Sequence, residues 1–152
     1  MTRKNTGFTL VEILIVVIIL GILAAIVIPQ FTEASNDARV SALVSDLQTA
    51  RSQVELYKVQ HLDNYPGTVN GVWTIANFVP HLTGRTDLNG VAGGTLGSYL
   101  GKFPTNGFNN SSAVADATAA ADPVAEIAGG AGWWFNSTTG MFGVNTLAYI
   151  DR

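Results

Sequence analysis

Glu12 is a carboxylate within the apolar run from Phe8 to Ile28, where Thr9 is the only other polar side chain. On membrane-insertion scales, an acidic residue at the centre of a membrane helix costs about 2.5–3.5 kcal/mol. A close positive charge offsets part of that cost, so we expect Glu12 to have a charged partner. The alternative is that Glu12 lies at headgroup depth near the helix start, where the helix dipole favours a negative charge.

The other residues that could do chemistry form no catalytic pattern. His61 and His81 are the only histidines, neither has a second ligand at the spacing of a zinc helix site, and both fall near predicted helix ends. We expect each to be a capping or surface residue. No serine lies in a nucleophile elbow, and the segment GVAGGTLG does not follow a strand and open a helix as a dinucleotide fingerprint would. The sequence therefore predicts no enzyme, no catalytic residue and no cofactor.

The apolar run that contains Glu12 is long enough to cross a membrane. As a helix it would span about 30 Å, the thickness of a bilayer core. Arg3 and Lys4 precede it, and no charge other than Glu12 follows before Glu33. By the positive-inside rule, we expect the N-terminus to stay cytoplasmic. A helical pattern continues beyond the apolar core, so cleavage after that core is not expected.

The N-terminal sequence, a short basic leader followed by GFTLVEILIVVIILGILAAIVIPQF, resembles type IV pilins and type II secretion pseudopilins. The resemblance covers Gly7 to about Phe31. It implies that a membrane prepilin peptidase cuts after Gly7 and methylates the amino group of Phe8. Residues 1–7 would then be a leader that the mature protein lacks.

The resemblance also implies roles within the helix. Glu12 would pair with the N-terminal amine of a neighbouring subunit during assembly, and Thr9 is assigned to the same assembly site. Pro29 removes a backbone hydrogen bond, so we expect a kink or a melted stretch between Gly21 and Pro29.

The helix is predicted to continue into an amphipathic half. Apolar residues recur there in steps of three and four, which places them on one face: Val40, Leu43, Leu47, Ala50, Val54 and Tyr57. The turn letters of HLDNYPG end this pattern. We therefore expect a leader (1–7), a transmembrane and assembly helix (8–30), its amphipathic continuation (31–62) and a globular head (63–152).

The head is predicted to be a small antiparallel sheet of three or four strands packed on the helix, which gives an α+β, pilin-like fold. VWTIANFVPHLTGR predicts a short amphipathic helix, and GVAGGTLGSYLGKFPTNGF an irregular loop. SSAVADATAAADPVAEIAGGAG is low in complexity and is expected to be a loop. Two apolar runs around NSTTG predict a C-terminal hairpin with Gly140 at its left-handed position. Trp133, Phe135, Phe142 and Val144 would share the face that covers the helix stripe.

Metal binding and modification are weakly indicated. Asp116 and Asp122 are possible oxygen ligands for calcium, as in the C-terminal loops of some pseudopilins, but the family's loop pattern is not matched, so no metal site is predicted. Asn109, Asn110 and Asn136 fit the N-glycosylation pattern. The bacterial-type leader argues against the usual eukaryotic modification. No cysteine is present, so no disulfide is expected.

These observations predict a structural subunit that polymerises into a type IV pilus, serving adhesion or motility, with itself, the inner membrane, prepilin peptidase and the assembly machinery as partners. One alternative is a type II secretion pseudopilin that forms a periplasmic pseudopilus, and another is an uncleaved single-pass binding protein. Of 8 basic and 11 acidic side chains, loss of Arg3 and Lys4 leaves 6 against 11, a net charge of −5. Nucleic-acid binding by the subunit surface is therefore not expected.

Overall fold

The computed structural model describes residues 7–119 and 130–145. One long helix, α1 (Leu10–Gln60), precedes a region of short elements. These are β1 (Thr68–Val69), β2 (Val72–Trp73), a 3-10 turn (Ile75–Asn77), α2 (Phe78–Thr83), β3 (Arg85–Thr86), β4 (Leu96–Gly97), β5 (Val114–Asp116), β6 (Trp133–Phe135) and β7 (Phe142–Val144). The predicted α+β class, a long N-terminal helix with small sheets, is confirmed. The chain forms two compact units, one ending at Ala38 and one beginning at Arg39.

The described part of the first unit is helical from Leu10 and has no buried side chain. Its large apolar residues are about half exposed or more, from Phe8 at 83% to Val27 at 48%. The helix runs through Gly21 and Pro29 without a break. The melted stretch expected between them is therefore not observed, because proline deletes only its own N–H bond and the turns on either side keep theirs. The kink stays a prediction.

The second unit is organised around the amphipathic half of α1, as predicted. Leu43, Leu47, Ala50, Val54 and Tyr57 are all buried, and Val40 is partly buried. The helix ends at Gln60, two residues before the predicted boundary at 62. Leu62 and Asp63 follow with positive φ angles of 55° and 69°, a left-handed backbone that cannot continue an α-helix.

The sheets are smaller and more varied than the single antiparallel sheet predicted. β1 pairs with β2 and β3 pairs with β4, each as an antiparallel two-stranded ladder. The third sheet has the order β5–β6–β7, in which β5 runs parallel to β6.

Two segments expected to be loops thus contribute strands, namely the glycine-rich segment through β4 and the low-complexity segment through β5. Both strands are too short to show an alternating pattern in the sequence. Residues 120–129 of the low-complexity segment lie outside the described residues.

The predicted C-terminal hairpin is confirmed. β6 and β7 pair with Trp133 opposite Val144 and Phe135 opposite Phe142. Asn136 closes the turn because its side-chain Oδ1 accepts hydrogen bonds from the backbone N–H groups of Thr138 and Thr139. Gly140 has a φ of +75°, the left-handed conformation expected of it.

The core of the second unit lies between the α1 stripe and this hairpin. Trp133, Phe135, Phe142 and Val144 are all at most 3% exposed and belong to the same cluster as the stripe, as predicted. The ring of Phe78 from α2 completes the cluster, with centroids 4.5 Å from Phe135 and 5.9 Å from Phe142. Since aromatic pairs at this spacing add to simple apolar burial, these rings dominate the packing of the unit.

Candidate assembly site at the helix N-terminus

The first turn of α1 is closed by a reciprocal pair of side chains. Thr9 precedes the helix, and its Oγ1 accepts a hydrogen bond from the backbone N–H of Glu12 at 3.2 Å. In return, Glu12 Oε2 accepts from the backbone N–H of Thr9 and from its hydroxyl, each at 2.8 Å. This is a capping box, which satisfies two N–H groups that the helix itself cannot pair.

The capping box holds the carboxylate of Glu12 at the start of the helix and leaves part of it available. Among the described residues, none donates a hydrogen bond to its second oxygen, Oε1, and both Glu12 and Thr9 are exposed. A fixed carboxylate with a free oxygen can accept a positive charge from outside the chain. The sequence contains a local signal for this arrangement that the predictions missed, since Thr9-Leu-Val-Glu12 has the T-x-x-E pattern of a capping box.

Gly7 and Phe8 lie immediately before this helix start in non-helical backbone. Both are exposed, and no heavy atom lies within 4 Å of the position that a Cβ on Gly7 would take. The predicted cleavage junction is therefore open on the described side, residues 7 onward; the leader residues 1–6 lie outside the described residues.

The apolar surface that follows the junction is long enough to span a membrane. α1 contains a strongly apolar window near the N-terminus, none of which is buried within the chain. Its surface from Phe8 to Ile28 is almost wholly hydrocarbon. Such a surface requires either lipid or other apolar helices around it.

Neither histidine lies at the surface, so that part of the prediction is wrong, whereas a capping role is confirmed for His61, which bonds a carbonyl oxygen in the last turn of α1. His61 is 1% exposed and His81 is 5% exposed. His61 Nδ1 lies 2.9 Å from the carbonyl oxygen of Tyr57, and His81 Nδ1 lies 2.8 Å from the Tyr57 hydroxyl. The local sequence around a histidine near a helix end does not show whether the side chain is buried, because burial depends on distant segments that pack over it.

The remaining polar residues singled out in the sequence are the possible calcium ligands and the three asparagines that fit the glycosylation pattern. Asp116 Oδ1 accepts the backbone N–H of Thr118 at 2.8 Å, and its possible calcium partner Asp122 lies outside the described residues. The described residues contain no group of three acidic or histidine side chains arranged to hold a metal. Asn109 and Asn110 are exposed, whereas Asn136 is 8% exposed and donates from Nδ2 to the carbonyl oxygen of Ala117.

The described chain thus combines an exposed apolar helix, which has a capped carboxylate at its start, with an α+β unit. Residues 2–28 match the family model described as the prokaryotic N-terminal methylation motif. This motif supports the resemblance of the N-terminal segment to type IV pilins and type II secretion pseudopilins.

Similar curated proteins support this resemblance. The chain is 43% identical over 72 residues to type II secretion system core protein G of Pseudomonas aeruginosa, covering 46% of this chain and 49% of the relative. It is 35% identical over 75 residues to the protein of that name from Aeromonas hydrophila, covering 49% and 52%. For the Escherichia coli protein of that name, identity is 29% over 111 residues, covering 72% and 70%. The chain thus matches about half the length of the first relatives. No solved structure matches it significantly.

Proposed function

We propose that this chain is a structural, non-catalytic subunit that is cut between Gly7 and Phe8, methylated at Phe8, and polymerised through its N-terminal helix. The observation that carries the proposal is the capped carboxylate of Glu12 at the start of an exposed apolar helix. Cleavage would create a charged amine at Phe8, four residues before that carboxylate. The proposal assigns processing to Gly7 and Phe8, and assembly to Glu12 and Thr9.

Charge pairing gives this arrangement its specificity. In a bundle of apolar helices, an unpaired carboxylate and an unpaired amine each carry a large desolvation cost, which a close ion pair offsets. Glu12 already uses one oxygen within its own chain, so the amine of a neighbouring subunit can approach the other. Since the amine and the carboxylate lie at different heights along the helix, pairing between subunits would set their axial stagger.

The apolar surface of the helix allows subunits to associate. Lipid tails and neighbouring apolar helices are similar in polarity, so moving the helix from the membrane into a filament costs little free energy. When one face of a subunit binds a different face of the next copy, the contact can repeat without closing into a ring, and the product is then an open fibre. We therefore propose the inner membrane as the location of the precursor, and a homopolymer as the product, with prepilin peptidase and the assembly machinery as partners.

The named relatives favour the pseudopilus over a long surface pilus. All of those cited carry the name type II secretion system core protein G. We propose accordingly that the filament is a periplasmic pseudopilus of a secretion system. An extracellular type IV pilus, and an uncleaved anchored protein, are the other outcomes of the first test.

That test is mass spectrometry of the N-terminal peptide in filaments sheared from the native cells and in the washed envelope. Methylated Phe8 confined to the envelope is the result we expect for a pseudopilin. Methylated Phe8 in sheared filaments would instead identify a surface pilus subunit. An intact Met1 in both fractions would overturn the proposal of processing and assembly.

A second test separates Glu12 from other acidic residues of the same helix. Glu12→Ala should be processed normally but assemble poorly, because the amine loses its partner. Glu33→Ala is the matched control, since Glu33 is also an exposed carboxylate on α1 but lies outside the capping box. Normal filament yield from Glu12→Ala, or equal loss from both variants, would contradict the pairing.

A further inference from the structure

The second unit contains a buried polar cluster that assembly does not use. It consists of Tyr57 and His61 from α1, His81 from α2, Thr86 from β3 and the backbone of Gly67. The rings of Tyr57 and His61 stack with centroids 3.6 Å apart and planes inclined by 1°. This cluster joins the end of α1 to α2, to β3 and to the turn that precedes β1.

The groups that donate hydrogen bonds to His81 determine which of its two ring nitrogens carries the proton. The backbone N–H of Gly67 points at His81 Nδ1 at 3.1 Å, and a backbone N–H can only donate. His81 Nδ1 must therefore be unprotonated while this bond exists, which places the ring proton of neutral His81 on Nε2. The Tyr57 hydroxyl, 2.8 Å from the same nitrogen, can donate to it as well.

His61 has the opposite tolerance to protonation. Its Nδ1 faces the carbonyl oxygen of Tyr57 at 2.9 Å, so that nitrogen carries a proton and donates. Its Nε2 lies 2.8 Å from the hydroxyl of Thr86, which can donate to the neutral ring or accept from the charged one. His61 can thus gain a proton without losing either bond, whereas His81 cannot.

The surroundings of His81 offer little to stabilise a positive charge. Burial, and secondarily the nearby His61, lower the pKa of His81. Burial also raises the pKa of Tyr57 to about 12, so its hydroxyl remains a neutral donor near pH 7. Among the described residues, the other ionisable groups near the cluster are Tyr99, whose ring contacts Tyr57 and His61, and Asp87, whose charge acts on Tyr57. Arg85, the neighbour of Thr86 in β3, is exposed. The Oδ1 of Asp87 already accepts the N–H groups of Asn89 and Val91.

We propose that His81 is a proton-sensitive latch, which holds the turn at Gly67 against α2 near neutral pH and releases it when the ring is protonated. Protonated His81 would present an N–H to the N–H of Gly67, so the hydrogen bond becomes a repulsion. The bond at Gly67 is the weak link of the cluster because the Tyr57 hydroxyl can rotate to accept a proton, whereas the backbone N–H cannot.

The turn held by this latch is itself connected to the β1–β2 hairpin. Gly67 accepts the backbone N–H of Thr74 at 3.0 Å, and the indole N–H of Trp73 donates to the carbonyl oxygen of Pro66 at 3.0 Å. Gly67 has a φ of +103° and stands against the Trp73 ring, so the turn has little alternative packing. Release at His81 would therefore loosen this hairpin, while the hydrophobic core around Phe78 stays packed.

NMR of the labelled full-length chain in detergent micelles tests the latch directly, because the sequence has only two histidine rings to assign. We expect the Nε2–H tautomer for His81, and a Gly67 amide shift that titrates with the same midpoint as the His81 ring. The hydrogen-exchange protection factor of Gly67 should fall about tenfold per pH unit below 6.5 until His81 itself protonates in the closed state.

Two variants separate the histidines. In His81→Asn, the amide Oδ1 takes roughly the place of Nδ1 and accepts from Gly67 without titrating, so the protection of Gly67 should no longer depend on pH in this range. In His61→Asn, the pH dependence at Gly67 should persist. An Nδ1–H tautomer of His81 in the wild-type chain, or a Gly67 amide that does not follow the His81 titration, would overturn the proposal even if either variant fails to fold.

Discussion

The phenol of Tyr65 occupies the space that a Cβ on Gly140 would need, and Gly140 has a φ of +75°. The hairpin turn between β6 and β7 thus lies directly against a side chain from the loop that follows α1. Tyr65 in turn contacts the buried ring of Phe135, with centroids 5.5 Å apart. Both the backbone conformation and this contact require glycine at position 140.

Gly140→Ala should lower the free energy of unfolding by about 2–3 kcal/mol. The left-handed conformation costs an L-residue about 1–2 kcal/mol, and displacement of the Tyr65 ring adds to that cost. Denaturant unfolding of the full chain in micelles, followed by tryptophan fluorescence, measures the loss. Gly71→Ala is the matched control, because Gly71 has a φ of +82° but no heavy atom within 4 Å of its Cβ position. Equal losses in the two variants would show that the Tyr65 contact contributes nothing.

Phe78→Ala should destabilise the second unit by about 3–5 kcal/mol, since it removes a fully buried ring from the centre of the aromatic cluster. The same unfolding experiment measures it. Leu88→Ala, at a side chain that is 53% exposed, should change stability by no more than about 0.5 kcal/mol. A small loss from Phe78→Ala would mean that the core does not depend on this ring.

Thr9→Val should weaken the first turn of α1 by about 0.5–2 kcal/mol, because both the N-cap acceptor and one donor to Glu12 disappear. Hydrogen exchange at the Glu12 amide, measured in the processed chain, reports this loss. Thr9→Ser keeps the hydroxyl and should retain protection. If valine and serine behave alike, the hydroxyl of Thr9 is not the cap.

Stability should fall as the pH is lowered below about 6.5, the ordinary pKa of histidine. Since burial lowers the pKa of folded His81, the unfolded chain takes up a proton there before the folded chain does. The contribution of neutral His81 is therefore fully present above that pH and is lost as the pH falls towards the folded pKa. Denaturant midpoints between pH 7.5 and 5.0 measure this, and His81→Asn should reduce the slope. An unchanged slope would assign the pH dependence to other groups.

Apolar periodicity was the most informative part of the sequence. The stripe from Leu43 to Tyr57 predicted the buried face of α1, and the runs around NSTTG predicted the hairpin of β6 and β7 with Gly140 in its turn. In both cases the apolar residues of the repeating pattern all pack on one surface. Periodic patterns predict structure reliably when this is so.

The features that were missed depend on contacts between distant segments. β4 is two residues long in a glycine-rich stretch, and β5 pairs in parallel with a strand seventeen or more residues away. The burial of His61 and His81 requires α2, β3 and the turn at Gly67 to come together. The capping box at Thr9 was different, because its signal is local and was present in the sequence.

The residues that cover the α1 stripe lie at 133–144, more than seventy positions after the stripe ends. During synthesis, the second half of the helix emerges long before the strands that complete the core. The stripe from Leu43 to Tyr57 therefore remains uncovered until β6 and β7 have been made. If the chain is membrane-anchored as proposed, insertion of the first half of α1 would come first, and folding of the second unit would wait for β7.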